Sequence, residues 1–176
     1  SSSATHTFKV EEYKRPTFTT ETKPVSEAYS LGDTVRVEGV AQTYSGVPIA
    51  GARVQYTVQR SAWYFWDDDE FTPQSGETIT QADGHFTLPM WLAPPAEGVA
   101  PSRYNRYTYT LHYTITADNG ETVQGSAALA AATHAAWLTA DVPTTLCREQ
   151  GKPLPMFTIQ QLNASGQTMP AHGTYT

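Results

Sequence analysis

Cysteine is almost absent from this chain, which contains one, Cys147, among its 176 residues. A single thiol excludes an internal disulfide framework and leaves the redox compartment open. No apolar run approaches the roughly 20 residues that a membrane-spanning helix needs. Residues 1–4 show neither the basic start nor the apolar centre of a signal peptide, although such a signal could lie upstream. We therefore expect no direct insertion of this chain into a membrane.

Charged residues are also scarce, at 16% of the chain, and the formal net charge is −6. A modestly acidic domain lacks the basic surface that nucleic acids and anionic membranes attract. We therefore expect no nucleic acid among its partners. Hydrophobic residues reach 39%, which is enough for a core. The many Thr, Ser, Gln and Tyr residues are typical of strands with one solvated face.

The apolar residues recur at every second position, most clearly in residues 52–59 and 107–116. This alternation of β-branched and aromatic residues with polar ones predicts half-buried strands. No segment carries a sustained apolar stripe at helical spacing; the Ala-rich residues 127–136 come nearest and lack a helix cap. We predict strands near residues 17–22, 34–44, 52–60, 77–81, 85–91, 106–117 and 121–130.

Turn signals separate these strands, notably Asp83-Gly84 and Asp118-Asn119-Gly120. Because no helix intervenes, the pattern predicts an all-β fold, an antiparallel seven-stranded sandwich of the immunoglobulin or fibronectin kind. The side chains predicted to face inward are Val35, Val37, Val54, Tyr56, Phe86, Leu111, Tyr113 and Ile115.

Weaker strand signals continue after residue 133, near residues 137–142 and 157–159, with a turn at 163–166. About three strands cannot close a sandwich of the usual size. We therefore predict three parts: residues 1–15 as a linker or strand from a preceding domain, 16–132 as the sandwich, and 133–176 as the N-terminal part of a following, truncated β domain.

Several stretches of the sequence resemble proteins of the bacterial alpha-2-macroglobulin family. The first is Phe-Lys-Val-Glu-Glu-Tyr-Lys-Arg-Pro-Thr-Phe at residues 8–18, which in the family links one macroglobulin-like domain to the next. The resemblance covers most of residues 8–130 in family order. The further matching stretches are residues 29–35, 44–54, 82–86 and 118–122.

The resemblance implies a string of seven-stranded macroglobulin-like domains in a large secreted, periplasmic or lipid-anchored protein. Members of the family inhibit proteinases by entrapment, in which a bait region is cut and the molecule rearranges. On this basis the chain is a structural and interaction module of an endopeptidase inhibitor in the cell envelope, and not an enzyme. Its partners would be neighbouring domains of the same polypeptide and, for the full-length protein, target proteinases. The alternative is a ligand- or partner-binding sandwich of an unrelated bacterial surface protein.

Cys147 and Gln150 have the spacing at which a thiol and a glutamine side chain close an internal thioester. In the family that bond lies where a loop enters a helix, usually with Gly before the Cys. Here Leu146 precedes the Cys, and Pro153 and Pro155 follow in strand-like sequence. Prolines favour extended, exposed chain, where a thioester would hydrolyse. We interpret the spacing as a chance match and expect a free thiol.

The segment from Trp63 to Asp69 joins aromatic and acidic side chains in what we predict to be a long loop. Its aromatics could fold onto the sandwich, or could anchor a partner with the acids as a rim. A calcium site is a third possibility, but the Asp-x-Asp-x-Asp-Gly spacing is missing. The residues concerned are Trp63, Tyr64, Phe65, Trp66, Asp67, Asp68 and Asp69.

The sequence shows no arrangement that predicts catalysis, a metal or a cofactor. The five histidines are scattered without zinc spacing. Neither a Gly-x-Ser-x-Gly elbow nor a phosphate-binding glycine loop is present. Asn163-Ala164-Ser165 matches an N-glycosylation acceptor, although a turn explains the same residues equally well.

Overall fold

The computed structural model describes residues 15–62, 71–95, 106–142, 157–170 and 172. Within these residues every regular element is a strand paired antiparallel to its neighbours, which confirms the predicted all-β antiparallel fold. No helix in the described part is long and apolar enough to cross a membrane. The strands are β1 (Phe18–Thr22), β2 (Thr34–Thr43), β3 (Arg53–Ala62), β4 (Gln74–Ile79), β5 (His85–Trp91), β6 (Arg106–Thr116), β7 (Thr122–Ala132), β8 (Ala136–Asp141), β9 (Thr158–Asn163) and β10 (Thr168–Met169).

The strands β1 to β7 form the first unit, in which two sheets pack face to face. One sheet has the order β1-β2-β5 and the other β4-β3-β6-β7. Each stretch predicted between residues 17 and 130 overlaps one of these strands. Strand β4 begins at Gln74 instead of 77, because its pairing with β3 continues to Val58. Strand β7 continues to Ala132, so the Ala-rich segment is extended and not helical.

The core lies between the two sheets and is built from the alternating apolar residues. Of the eight side chains predicted to face inward, all but Tyr56 are buried. Tyr56 is half-buried and packs against the core. A contact between the two sheets joins Phe86 of β5 to Tyr113 of β6, with ring centroids 5.4 Å apart. The Oη of Tyr113 also lies 3.2 Å from Thr20 Oγ1 of β1.

A cross-strand row in the four-stranded sheet explains the position of Tyr56. Gly76 of β4, Tyr56 of β3, Tyr113 of β6 and Gly125 of β7 are directly paired in this row. A Cβ atom at Gly76 would overlap the Tyr56 phenol, and one at Gly125 would overlap the Tyr113 phenol. The glycines therefore leave room for both rings to spread towards the sheet edges, where they cover exposed backbone.

The chain enters the first unit at the end where the β6–β7 turn lies. The backbone N–H and the hydroxyl of Thr17 both donate to the carboxylate of Glu121 in that turn. These hydrogen bonds stabilise the charged form and lower the pKa of Glu121 below its ordinary value. The turn is held in addition by Asn119 Oδ1, which accepts from Glu121 N at 3.0 Å.

The described strands after residue 133 form the second unit, an antiparallel sheet of three strands in the order β10-β9-β8. Residues 133–135 alone separate it from β7 of the first unit. Strands β8 and β9 overlap the strands predicted near residues 137–142 and 157–159, and the turn at residues 164–166 lies within the predicted turn. Strand β10 is a strand that the sequence did not predict. The domain limits 16–132 and 133–176 stay a prediction.

Gly39 of β2 lies beneath the ring of Phe86 on the paired strand β5. A methyl group at position 39 would overlap that ring and would lie 3.0 Å from the carbonyl oxygen of Glu21. We expect Gly39→Ala to lower the free energy of unfolding by about 1–3 kcal/mol, because overpacking forces the ring from its position. Urea denaturation measures the change.

The matched control is Thr34→Ala, on the exposed face of the same strand. This variant should stay within about 0.5 kcal/mol of the wild type. Phe86→Leu combined with Gly39→Ala should cost less than the sum of the two single changes, because leucine lacks the clashing ring atoms. If Gly39→Ala is as stable as the wild type, the backbone of β2 at residue 39 is not held close to the Phe86 ring.

Candidate interdomain junction

A tight turn of the second unit is buried against the first unit. We call residues 163–167, which connect β9 to β10, the junction turn. Asn163 and Ala164 have no exposed surface, and Ala164 belongs to the same core cluster as the residues between the two sheets. The junction turn contacts the end of the first unit that is opposite to the entry of the chain at Thr17.

The side chain of Asn163 shapes the junction turn from within. Its Oδ1 accepts from Ser165 N at 3.0 Å and from Gln167 N at 2.9 Å. The backbone N–H of Asn163 donates to Gln167 O, and Gly166 N donates to Asn163 O, both at 2.9 Å. Gly166 has a φ of +83°, a conformation that favours glycine. The sequence Asn-Ala-Ser-Gly-Gln therefore encodes this turn locally.

The amide nitrogen of Asn163 joins the turn to the first unit. It donates to Val25 O at 2.9 Å and to Glu27 O at 3.2 Å, in the loop between β1 and β2. A side-chain amide offers two donors, and its oxygen accepts two hydrogen bonds. All four are used here, so the burial of this polar group leaves nothing unpaired.

Ser165 joins the turn to the edge of the four-stranded sheet. Its Oγ accepts from the backbone N–H of Ala130 at 2.9 Å, and Ala130 lies on the edge strand β7. The same hydroxyl is hydrogen-bonded to Tyr29 Oη. Nearby, Leu31 N donates to Ala132 O at 3.2 Å. The turn and the β1–β2 loop together cover backbone groups that an edge strand would otherwise present to solvent.

Arg106, the first residue of β6, contacts the second unit at two points. Its Nη2 donates to Ala164 O at 3.1 Å. Its guanidinium carbon lies 5.9 Å from the centre of the Trp137 ring on β8, within the range of a cation–π interaction. Trp137 is partly buried and packs against the core of the first unit. Arg106 therefore holds both the turn and the first strand of the second unit.

Tyr29 is the titratable group of the junction whose pKa is shifted. Burial disfavours the phenolate and raises the pKa of Tyr29 above its ordinary value of 10, while the hydrogen bond to Ser165 opposes the rise. The hydroxyl is therefore protonated at neutral pH and available to the hydrogen bond with Ser165. Within the described ranges, no three His, Cys, Asp or Glu side chains are grouped so as to hold a metal ion.

The residues that sequence analysis selected relate to this site in different ways. Asn163-Ala164-Ser165 forms the turn, and the buried Asn163 amide is not accessible to a glycosylating enzyme in this fold. Cys147 and Gln150 lie outside the described residues, as do Trp63, Tyr64, Phe65, Trp66, Asp67, Asp68 and Asp69. Their roles stay predictions.

Phe71, the first described residue after the segment from Trp63 to Asp69, is firmly anchored. Phe71 packs edge-on against Tyr109 with ring centroids 6.4 Å apart, and the Arg60 guanidinium lies 5.0 Å from the Phe71 ring centre. Arg60 also donates to Ala93 O at 2.8 Å and to Pro94 O at 3.0 Å. This cluster lies at the same end of the first unit as the junction.

The described residues form a β-sandwich of two packed sheets and a separate three-stranded sheet, joined by residues 133–135 and by the buried junction turn. No family model and no curated protein sequence matches the chain. Among solved structures, the chain is similar to E. coli alpha-2-macroglobulin in its native conformation, determined by cryo-electron microscopy. The TM-score is 0.56 and the identity 10%, over 90% of this chain and 11% of that chain.

That likeness concerns the fold, since the identity is low. It extends over more of the chain than residues 1–132 alone could supply, so it includes part of the second unit. The expected macroglobulin-like sandwich is therefore supported by a structural neighbour from the family that the sequence resembles. The chain spans about a tenth of the neighbour's length.

Burial also raises the pKa of Tyr113, so two phenols favour the neutral form in the folded protein. A raised folded pKa gives stability that is present below the unfolded value, about 10, and is lost as pH rises through the folded value. We expect the free energy of unfolding to fall from about pH 10 upwards. Tyr29→Phe and Tyr113→Phe should each make that fall less steep.

Urea denaturation between about pH 8 and about pH 11.5 tests this dependence. The control is Tyr44→Phe, because Tyr44 is 73% exposed and lies outside both the core and the junction. The quantity compared is the slope of the unfolding free energy against pH. The free energy itself is not compared, because each substitution also removes a hydrogen bond. An unaltered slope in both buried variants would contradict the assignment.

Proposed function

We propose that the chain is a structural and interaction module of a longer bacterial alpha-2-macroglobulin-like protein, which inhibits endopeptidases by trapping them. The observation that carries this proposal is the likeness to E. coli alpha-2-macroglobulin, which includes both units and takes up 11% of that chain. The sequence resemblance over residues 8–130 supports the same family. The module has no catalytic role in this proposal.

The role of the module is to set the distance and angle between successive domains. The chain enters at one end, where Thr17 is bound by Glu121. The second unit is attached at the other end by residues 133–135 and by the junction turn. Between these ends the two packed sheets form a rigid body, because their shared core fixes the strands. A movement imposed at one end is therefore passed to the other.

The second unit carries an apolar sheet face that supports a larger second domain. Leu138 is 69% exposed and Ile159 is 47% exposed, and both lie on the face that also carries Ala140 and Gln161. The opposite face carries Trp137 and Leu162, followed by the polar pair Thr139 and Gln160. We propose that further strands of the same polypeptide cover the apolar face and complete a second macroglobulin-like sandwich.

The proposed setting of the full-length protein is the cell envelope, periplasmic or extracellular, with or without a lipid anchor. Its partners are the neighbouring domains of its own polypeptide and the target proteinases. The acidic balance of this chain, with a net charge of −6, does not favour nucleic acid as a partner.

Entrapment makes a specific kinetic prediction for the full-length polypeptide that contains this chain. We expect it to block digestion of a large protein such as casein, while cleavage of a small chromogenic peptide continues nearly unchanged. The reason is steric, because a trapped proteinase is closed off from large substrates only. Parallel assays of one endopeptidase on both substrates measure the difference.

The control is the 176-residue chain by itself, which should affect neither substrate and should hydrolyse neither. If cleavage of both substrates is inhibited equally, the protein is an active-site inhibitor. If cleavage of neither is inhibited, the protein does not trap the endopeptidase. Either outcome contradicts the proposal.

Cys147 gives a separate prediction about this chain. We expect the intact mass to equal that of the unmodified sequence, and the denatured protein to show one titratable thiol without prior treatment with methylamine. The physical reason is that an unshielded thioester hydrolyses. A mass deficit of one ammonia, together with a thiol that becomes titratable only after methylamine adds to the chain, would contradict the chance match and would assign the bond to Cys147 and Gln150.

A further inference from the structure

The contact between the junction turn and the first unit is polar and small. It contains one buried methyl group, that of Ala164. Hydrogen bonds supply the rest of its described contacts. They are Asn163 Nδ2 to Val25 O and Glu27 O, Arg106 Nη2 to Ala164 O, Ala130 N to Ser165 Oγ, and the hydroxyl pair of Tyr29 and Ser165.

Such a contact can open without the loss of either unit. Every group in it finds water when the turn withdraws, so opening exchanges protein hydrogen bonds for water hydrogen bonds. A half-withdrawn turn would instead leave the Asn163 amide and the carbonyl of Val25 buried without partners, which is costly. The contact therefore favours two states, fully closed and fully open. Small polar contacts between domains generally permit relative motion.

We propose that the junction turn is a release point between the two units. Residues 163–167 leave the first unit as one body, Trp137 of β8 leaves its contact with Arg106 and the core, and the units then reorient about residues 133–135. Asn163 determines whether the junction is closed. This inference rests on the proposed function for its biological meaning, since it names the contact through which a rearrangement of the domain string would pass.

Asn163 is the residue to change because its two ends act on different units. Oδ1 holds the turn through Ser165 N and Gln167 N, whereas Nδ2 holds the first unit through two carbonyl oxygens. Asn163→Asp keeps the oxygen that accepts both hydrogen bonds within the turn and removes the NH2 group that donates to the first unit. It also places a carboxylate against the carbonyl oxygens of Val25 and Glu27. The variant should therefore open the junction while the turn keeps its shape.

Hydrogen exchange of backbone amides, followed by NMR in the full chain, tests the release. The amide of Ala130 reports on the junction because its acceptor is Ser165 Oγ. We expect Asn163→Asp to speed its exchange by at least about tenfold, while the amides of the β8–β9 and β3–β6 ladders keep their protection. Small-angle scattering should show a larger radius of gyration for the variant.

The matched control is Asn119→Asp, the same change in an exposed turn at the far end of the first unit. It should leave the Ala130 amide protected. Lowering the pH should partly restore protection in Asn163→Asp but not alter the control, because a protonated carboxyl regains one donor below about pH 4.

Two outcomes would overturn the release point. Continued protection of Ala130 in Asn163→Asp would show that Asn163 does not decide closure. Loss of the β8–β9 ladder together with Ala130 would show one cooperative fold without a separate release step. If Asn163→Asp does not fold, Arg106→Ala takes its place, because it removes the hydrogen bond to Ala164 O and the contact with Trp137 but leaves Ser165 Oγ as the acceptor of the Ala130 amide.

These outcomes are separate from those of the proteinase assay. If the junction opens in this chain but the full-length protein does not trap proteinases, the release point is supported and the proposed function is wrong. If the full-length protein traps proteinases but Asn163→Asp does not open the junction, the proposed function is supported and the release point is wrong.

Discussion

The packing of two sheets across one apolar core is the constraint on which the rest of this structure depends. Val37 and Leu88 are directly paired in one sheet, and Val54 and Ile115 in the other, and all four are buried. Because a strand has a period of two, this packing fixes the register of every strand in the first unit. It therefore also fixes which loops gather at each end, where the chain enters and where the second unit is attached.

The parts of the fold that depend on this periodicity could be predicted from the sequence. Alternation marks the central strands, and it identifies their buried side chains correctly except for the half-buried Tyr56. The beginning of β4 could not be found, because Ser75 and Gly76 give no alternation. That segment is held from outside its own sequence, since the side chain of Gln74 bonds to both the N–H and the carbonyl of Trp91.

The junction depends on contacts that the sequence does not display. The sequence predicts a turn at Asn163, but the partners of Asn163 on the first unit are the backbone carbonyls of Val25 and Glu27, more than 130 positions earlier. Every residue type carries the same backbone carbonyl group, so no side chain marks Val25 and Glu27 as the partners of Asn163. Tyr29 and Arg106 also carry no periodic pattern that links them to the turn. Contacts of this kind become visible only when both units are seen together.

The hydrogen bond from Ala130 to Ser165 has a consequence for how molecules of this protein meet one another. While the bond exists, the outer side of β7 near Ala130 is occupied. In an opened molecule the same N–H group becomes a template for a foreign strand, which is a route to aggregation. The short link at residues 133–135 also allows the second unit of one molecule to dock on another, as in domain swapping. Opened protein is therefore expected to self-associate with increasing concentration, whereas closed protein is protected by its own turn.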